Sequence, residues 1–255
     1  MDPLSLAIET AAEAGALLQR HLDRPLETLE KSARGDIVTA ADRASEAFIL
    51  RRLRDAFPAS TLLGEEGGAH RGTSDERWIV DPLDGTTNYA HGYPLYCVSI
   101  AYERGGELVC GAIFAPALGE LYAVERGAGA TCNGRRLAVS AAPSVAQSLV
   151  CTGFFPARYE RNIEHFARLS RTAQGVRRDG SAALDLAFVA SGRFDAFWEL
   201  DLHAWDVAAG ALMVREAGGR VSAIDGGEFA VDAGSVLASN GLTHAEMIRC
   251  LADAE

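Results

Sequence analysis

Two carboxylates three residues apart, Asp81 and Asp84, stand in the stretch Trp78-Ile-Val-Asp-Pro-Leu-Asp-Gly-Thr-Thr-Asn88. Carboxylate oxygens attract hard divalent cations, and the amino end of a helix offers free N–H groups to an anion. A strand that ends in two acids and turns at once into a helix can therefore hold a metal ion and a phosphate side by side. Trp78, Ile79 and Val80 predict the end of a buried strand, since aromatic and β-branched residues suit a pleated, half-buried surface. Pro82 is expected to end the ladder, because it has no N–H to donate. Asp84-Gly85-Thr86-Thr87-Asn88 then predicts a helix start with Asp84 near the N-cap.

Other polar residues gain meaning from their surroundings. Glu65 and Glu66 lie between glycines, in a turn after a short strand over 60–63, and neighbouring strands that both end in acids can bring those acids together. Asp206 sits among Trp205, Val207, Ala208 and Ala209, where a carboxylate is costly unless paired. A helix N-cap or a metal would each satisfy it. Asp42 follows Thr39 at the spacing of a capping pair and has a plain reading as a first-turn acid favoured by the helix dipole. Lys31 is the only lysine in an arginine-rich chain. Either a compact, mobile ammonium is needed there or the position reflects composition alone.

The elements that would position these residues follow in order. An amphipathic helix is predicted over 3–22, with Leu4, Ile8, Ala11, Gly15, Leu18 and Leu22 on one face, and a second over 39–57. Lys31–Asp36 reads as a polar loop. Strand signals recur between Leu95 and Leu137 around Gly105-Gly106 and Asn133-Gly134 turns. Gly127-Ala128-Gly129 reads as a hairpin, since no helix follows it. After about residue 140, helix and strand alternate: strands at 149–153, 194–199, 220–223 and 235–238, and helices at 161–171, 181–191, 205–217 and 244–252. The expectation is a single domain over 1–255, strand-rich α+β to about 140 and α/β beyond.

With 255 residues the chain is long enough for a sizeable core, and 48% hydrophobic content is that of a globular protein. No apolar run reaches the length of a membrane span and the first residues lack the pattern of a signal peptide, so a cytoplasmic protein is expected. A formal charge of −11 speaks against a nucleic-acid groove. The five cysteines include no C-x-x-C pair and are expected as reduced thiols; the six histidines show no zinc-site spacing.

Taken together, the 78–88 stretch, Trp205-Asp206-Val-Ala-Ala-Gly210 continuing to Glu216-Ala-Gly-Gly219, Gly64-Glu65-Glu66, Asp36–Asp42 and Gly180-Ser-Ala-Ala-Leu-Asp185 resemble the inositol monophosphatase family. The resemblance covers nearly the whole chain, with its motifs in order. It implies an alternating αβαβα layered sandwich, a homodimer, and hydrolysis of phosphate monoesters with magnesium, two or three ions per site, sensitive to lithium. It also implies that Glu65, Asp81 and the carbonyl of Leu83 hold one metal, and that Asp81, Asp84 and Asp206 hold a second. Thr86, hydrogen-bonded to Asp42, would orient the attacking water with Glu65 close by, and Lys31 would lie in a loop beside the metals. Gly85 and Thr86 N–H groups would hold the phosphate. Asp84, the backbone near Ala182, Glu199 and Asp206 would meet the substrate. Ser181 and the Leu184-Asp185 pair look like the family's bacterial members. Arg178 is expected to be structural or interfacial. The rival substrates within the superfamily are fructose 1,6-bisphosphate, histidinol phosphate and 3′-phosphoadenosine 5′-phosphate. A rival of another class is a non-catalytic protein or ribonucleoprotein partner.

Overall fold

The computed structural model describes residues 2–22, 28–30, 37–154 and 160–252. The chain opens with helix α1 (Pro3–Leu22), an antiparallel pair β1 (Thr28–Glu30) and β2 (Ile37–Thr39), and helix α2 (Ala40–Ala56). Strands β3 (Thr61–Gly64), β4 (Gly68–His70), β5 (Glu76–Asp84), β6 (Cys97–Arg104), β7 (Glu107–Ala115), β8 (Glu120–Glu125), β9 (Gly129–Cys132) and β10 (Arg135–Arg136) follow, with short α3 (Thr86–Ala90) after β5. They form one eight-stranded sheet ordered β10-β9-β8-β7-β6-β5-β3-β4. Next come β11 (Leu149–Thr152), α4 (Glu160–Thr172), β12 (Gly175–Arg177), α5 (Ala182–Ala190), β13 (Ala196–Leu200), α6 (Ala204–Glu216), β14 (Arg220–Ser222), β15 (Ser235–Ser239) and α7 (His244–Leu251). Their strands form a second sheet ordered β12-β11-β13-β15-β14.

Five layers result. Helices α1 and α2 cover one face of the large sheet, α5 and α6 fill the space between the two sheets, and α4 and α7 cover the far face of the small sheet. This is the expected αβαβα sandwich. The sequence explains the order of the layers. Helix α1 is one-sided: Leu6, Ala7, Ala11, Ala14 and Leu18 are buried, and at Gly15 a Cβ would lie 2.3 Å from Phe114 Cδ1, so only glycine lets the helix settle on β7. Apart from Asp185 on α5 and Asp206, Arg215 and Glu216 at the two ends of α6, these helices are apolar all round, as elements between two sheets must be. Gly210 brings them together, since a Cβ there would meet Leu186 Cβ at 2.5 Å. One hydrophobic core runs through both helices into both sheets, from Ile79 and Ile113 to Phe197 and Val236. No helix among the described residues is long and apolar enough to cross a membrane.

The predicted helices at 3–22, 39–57, 181–191 and 205–217 are present to within a residue or two, and so is the hairpin at 127–129. Short strands β1, β2, β4 and β12 were not anticipated. Strand β12 lies at the edge of the small sheet and exists through its parallel pairing with β11, and β4 folds back antiparallel on β3. Neither segment carries an alternation long enough to be seen in sequence.

Candidate active site

The Asp81–Asp84 stretch differs from its expectation at Pro82. Pro82 does not end β5: the strand continues to Asp84. Its pairing with β6 joins Asp81 to Ser99 and Asp84 to Cys97, so two residues between the pairs on one strand oppose one on the other. The extra residue is a bulge, which tolerates the missing proline N–H. It also resets the phase. Residues three apart in a regular strand face opposite sides, but Ser99 and Cys97 share one face, so their partners Asp81 and Asp84 share it too. Asp84 stands next to the cap of α3, as expected. The cap itself is Gly85, at φ 91°, where a Cβ would lie 2.8 Å from Leu95 O. The left-handed turn out of the strand admits glycine and strains other residues.

Behind the bulge, Leu83 is bound into the loop from both ends. Its N–H donates to Asp81 Oδ1 (3.0 Å), and its carbonyl lies 3.0 Å from Thr86 Oγ1. The single Thr86 hydroxyl proton also has Asp42 Oδ1 in reach at 2.9 Å. Asp42 is fully buried as the third residue of α2, in a capping box with Thr39, whose N–H and hydroxyl donate to Asp42 Oδ2 at 2.8 and 2.5 Å. Burial raises the Asp42 pKa, against the pull of the Thr39 and Thr86 hydrogen bonds. The capping reading and the Thr86 contact therefore coexist, one on each carboxylate oxygen.

The small sheet supplies the opposite wall. Asp84 Oδ2 accepts from Ser181 Oγ (2.8 Å) and from Ala183 N–H (2.6 Å), at the amino end of α5. Ala182, the first residue of α5, lines the same wall. Glu199 lies buried on β13 against Gly153, where any Cβ would fall 2.2 Å from its carboxylate oxygens. Asp206 is the third residue of α6 and accepts the His203 N–H at 2.6 Å. It is half-buried rather than buried, with a side chain 16% exposed. Its cap contact leaves it on the cleft surface.

These residues border a cavity of about 470 Å³, lined by Glu65, Asp84, Gly85, Thr86, Ala182, Glu199 and Asp206 among others. Asp81, 2% exposed, and Asp42 lie beneath this surface. Lys31 falls outside the described residues. Arg178, expected to be structural or interfacial, lines the cavity, and its charge opposes the rise of the Glu199 pKa. The stacked rings of His203 and Trp205, 4.7 Å apart and 9° from parallel, form a further part of the wall that sequence reading missed. Glu46 was missed as well. Buried on α2, it accepts the N–H groups of Glu66 (2.9 Å) and Gly67 (3.1 Å) and so sets the turn that carries Glu65. The signal available was a glutamate one turn beyond Asp42, on the face that buries Ala41, Ser45 and Ile49.

The electrostatics suit a cation. Burial pushes the Asp81 carboxyl well above its usual range, and the charges of Glu65, Asp84 and Asp206 push it further. Asp84 is raised to about 7, by burial first and by Asp206 next, and Glu199 is raised well above normal by burial and the same two acids. Carboxylates that destabilise one another's charged forms are answered by a cation among them, and their oxygens suit a hard one. The residues present thus fit the metals that the resemblance implies.

Residues 2–255 match the family model described as the inositol monophosphatase family. The chain belongs to the inositol monophosphatase family. Over 254 residues it is 44% identical to an inositol-1-monophosphatase of Mesorhizobium japonicum, covering 97% of this chain and 95% of that protein. It is 43% identical over 251 residues to a protein of Pseudomonas aeruginosa named Nus factor SuhB, covering 94% and 92%. A crystal structure of the extragenic suppressor protein suhB from Bartonella henselae superposes with a TM-score of 0.93 at 39% identity, over 98% of each chain. Membership makes this chain a phosphatase of that family.

Proposed function

We propose that the chain hydrolyses inositol 1-phosphate to inositol and phosphate with magnesium, the whole of residues 1–255 acting as one domain. The observation that carries this reading is the cavity itself. It joins the mutually repelling acids Asp84 and Asp206 to Glu199, a buried carboxylate at the wall suited to accept hydrogen bonds from a polyol.

Glu65, Asp81, the Leu83 carbonyl, Asp84 and Asp206 would hold two or three magnesium ions, which when bound supply Lewis-acid charge to the phosphoryl group and to the oxygens entering and leaving it. The remaining work falls to the chain. Thr86, donating to Asp42, keeps an oxygen lone pair for the proton of an incoming water, with Glu65 as second acceptor. Gly85 and Thr86 N–H groups at the start of α3 hold phosphate oxygens. Ser181 and the Ala183 N–H fix the orientation of Asp84. Glu199 and the backbone at Ala182 bind ring hydroxyls, and Lys31 takes the catalytic role that the resemblance implies. We also propose a homodimer, and lithium inhibition through the Asp84–Asp206 site.

The test is phosphate release, with magnesium, from inositol 1-phosphate, fructose 1,6-bisphosphate, histidinol phosphate and 3′-phosphoadenosine 5′-phosphate in parallel. Inositol 1-phosphate leading in kcat/KM is the expected result; another ester leading would replace the substrate and leave the acid cluster in its role. A second reading draws on the Pseudomonas aeruginosa relative named a Nus factor. In it the chain serves as a non-catalytic protein or ribonucleoprotein partner, and failure to hydrolyse all four esters would favour it.

A further inference from the structure

We propose that Cys151, Asp179 and Asp185 form a second cation site, for a divalent ion of the zinc class, behind the α5 wall of the catalytic cleft. Their candidate ligand atoms, one from each side chain, all lie within 4.8 Å of one another. The three residues come from three elements: Cys151 from β11, Asp179 from the segment after β12, and Asp185 from the first turn of α5. None of them is among the proposed ligands of the catalytic metals.

Asp185 points to a ligand by itself. It is 1% exposed, and neither carboxylate oxygen has a nitrogen or oxygen hydrogen-bond partner; only the Cys151 thiol bears on it. Several other buried acids among the described residues have nitrogen or oxygen donors. Asp195 accepts from Ser140 Oγ and Leu149 N–H, Glu46 from two backbone N–H groups, and Asp81 from Leu83 N–H. The charges around Asp185 make its isolation worse, since Asp179, Glu199 and Asp84 are all negative. Arg177 acts favourably on Asp179. A buried carboxylate in that position must gain a proton or a cation, because an unpaired buried charge costs several kcal/mol.

The third side chain selects the cation. Cys151 is fully buried, with its thiol beside the two carboxyl groups. One sulfur and two carboxylate oxygens, with a fourth position left for water, form a donor set used by zinc and its neighbours and poorly matched to magnesium, which prefers oxygen alone. Tetrahedral coordination at about 2.0–2.3 Å puts neighbouring ligand atoms roughly 3.5 Å apart. Side-chain adjustment therefore closes the site. Asp179 is half-buried and gives it a side open to solvent. A cation held there would tie the first turn of α5 to β11. That same turn carries Ser181 and Ala183, which grip Asp84.

The test is cobalt(II) titration of the full chain in excess magnesium, read by absorption. The expected result is one equivalent of cobalt bound with a sulfur-to-cobalt charge-transfer band, in the wild type and equally in Asp84→Asn. Cys151→Ser should lose the band, and Asp185→Asn should weaken binding by at least about tenfold. Zinc should raise the Tm of the wild type and leave that of Asp185→Asn unchanged. No sulfur band in the wild type overturns the proposal, and would leave Asp185 as a carboxylic acid held neutral. A band that survives in Cys151→Ser overturns it as well. If neither variant folds, alkylation of the wild type with and without cobalt decides: Cys151 shielded supports the site, and another cysteine shielded in its place sinks it.

Discussion

The cleft and the far edge of the small sheet both bury polar groups, with opposite results. Near β14 and β15, His244 is fully buried, with Nε2 2.9 Å from Ser222 Oγ and Nδ1 2.8 Å from Ser239 Oγ. Asp195 on the same sheet accepts a serine hydroxyl and a backbone N–H, one on each oxygen. There, partners are provided for both ring nitrogens and both oxygens. In the cleft, Asp81, Asp84 and Glu199 are all raised, by burial first and then by neighbouring acids, with Asp206 acting on all three, and the cation Arg178 bears on Glu199 alone among those causes. The first arrangement serves stability, because satisfied buried polar groups hold a fold together. The second spends stability on an acidic pocket that a cation can enter, which is how functional sites differ from structural ones.

The sharpest test of this contrast is Asp84→Asn. It keeps the shape and removes a charge, and kcat is expected to fall by at least about 100-fold. In chelator the same change should raise the Tm. A carboxyl lifted to about 7 makes the folded chain bind more protons than the unfolded one, so stability falls as pH rises from the ordinary carboxylate range through 7. The asparagine removes that loss. A variant with a tenth of wild-type turnover, or with a lower Tm in chelator at pH 8, would break the comparison.

Gly85→Ala comes next. A φ of 91° and a carbonyl 2.8 Å from the new Cβ predict about 1–3 kcal/mol of strain and a collapse of kcat with substrate still bound weakly, read by urea unfolding and steady-state kinetics. The far sheet provides the third test. His244 is held at about 4, chiefly by burial, so in the window between about 4 and its ordinary value of 6.5 the unfolded chain binds the proton and the folded chain does not. Stability is therefore complete above 6.5 and declines as pH falls towards 4, by on the order of 2–3 kcal/mol. His244→Gln should be less stable at pH 7 and lose this part of the pH dependence, measured as the difference between the two proteins in urea unfolding at pH 7 and 4.5. Equal slopes would show that His244 does not titrate as its burial requires. The smallest effect belongs to Glu46→Gln, which keeps an acceptor for the Glu66 and Gly67 N–H groups without its charge. About 1 kcal/mol of stability and a loss of roughly two- to fivefold in kcat are expected. An unchanged kcat would show that the turn carrying Glu65 holds without the charge.

Much of this was readable before any coordinates. The length of α1, the Thr39–Asp42 cap of α2, the start of α6 at Trp205-Asp206 and the hairpin at 127–129 rest on local spacing and capping chemistry, which a chain carries wherever it folds. The acids of the cleft were likewise named from their motifs. Pro82 departs from its expectation, because whether proline ends a strand or sits in a bulge depends on the partner strand. Glu46 was passed over because its role is to bind a turn twenty residues away in sequence.

By itself, then, the sequence determined which residues bear charge, where helices begin and stop, and which family's motifs the chain carries, since these follow from residue type and short-range geometry. Tertiary structure alone decided that the bulge turns Asp81 and Asp84 to one face and that α5 reaches over to grip Asp84. It alone buried Asp185 without a nitrogen or oxygen partner, beside Cys151 and Asp179. The physical reason is one of range. Capping and periodicity act within a few residues, while desolvation and the repulsion of like charges depend on what the fold packs around each group.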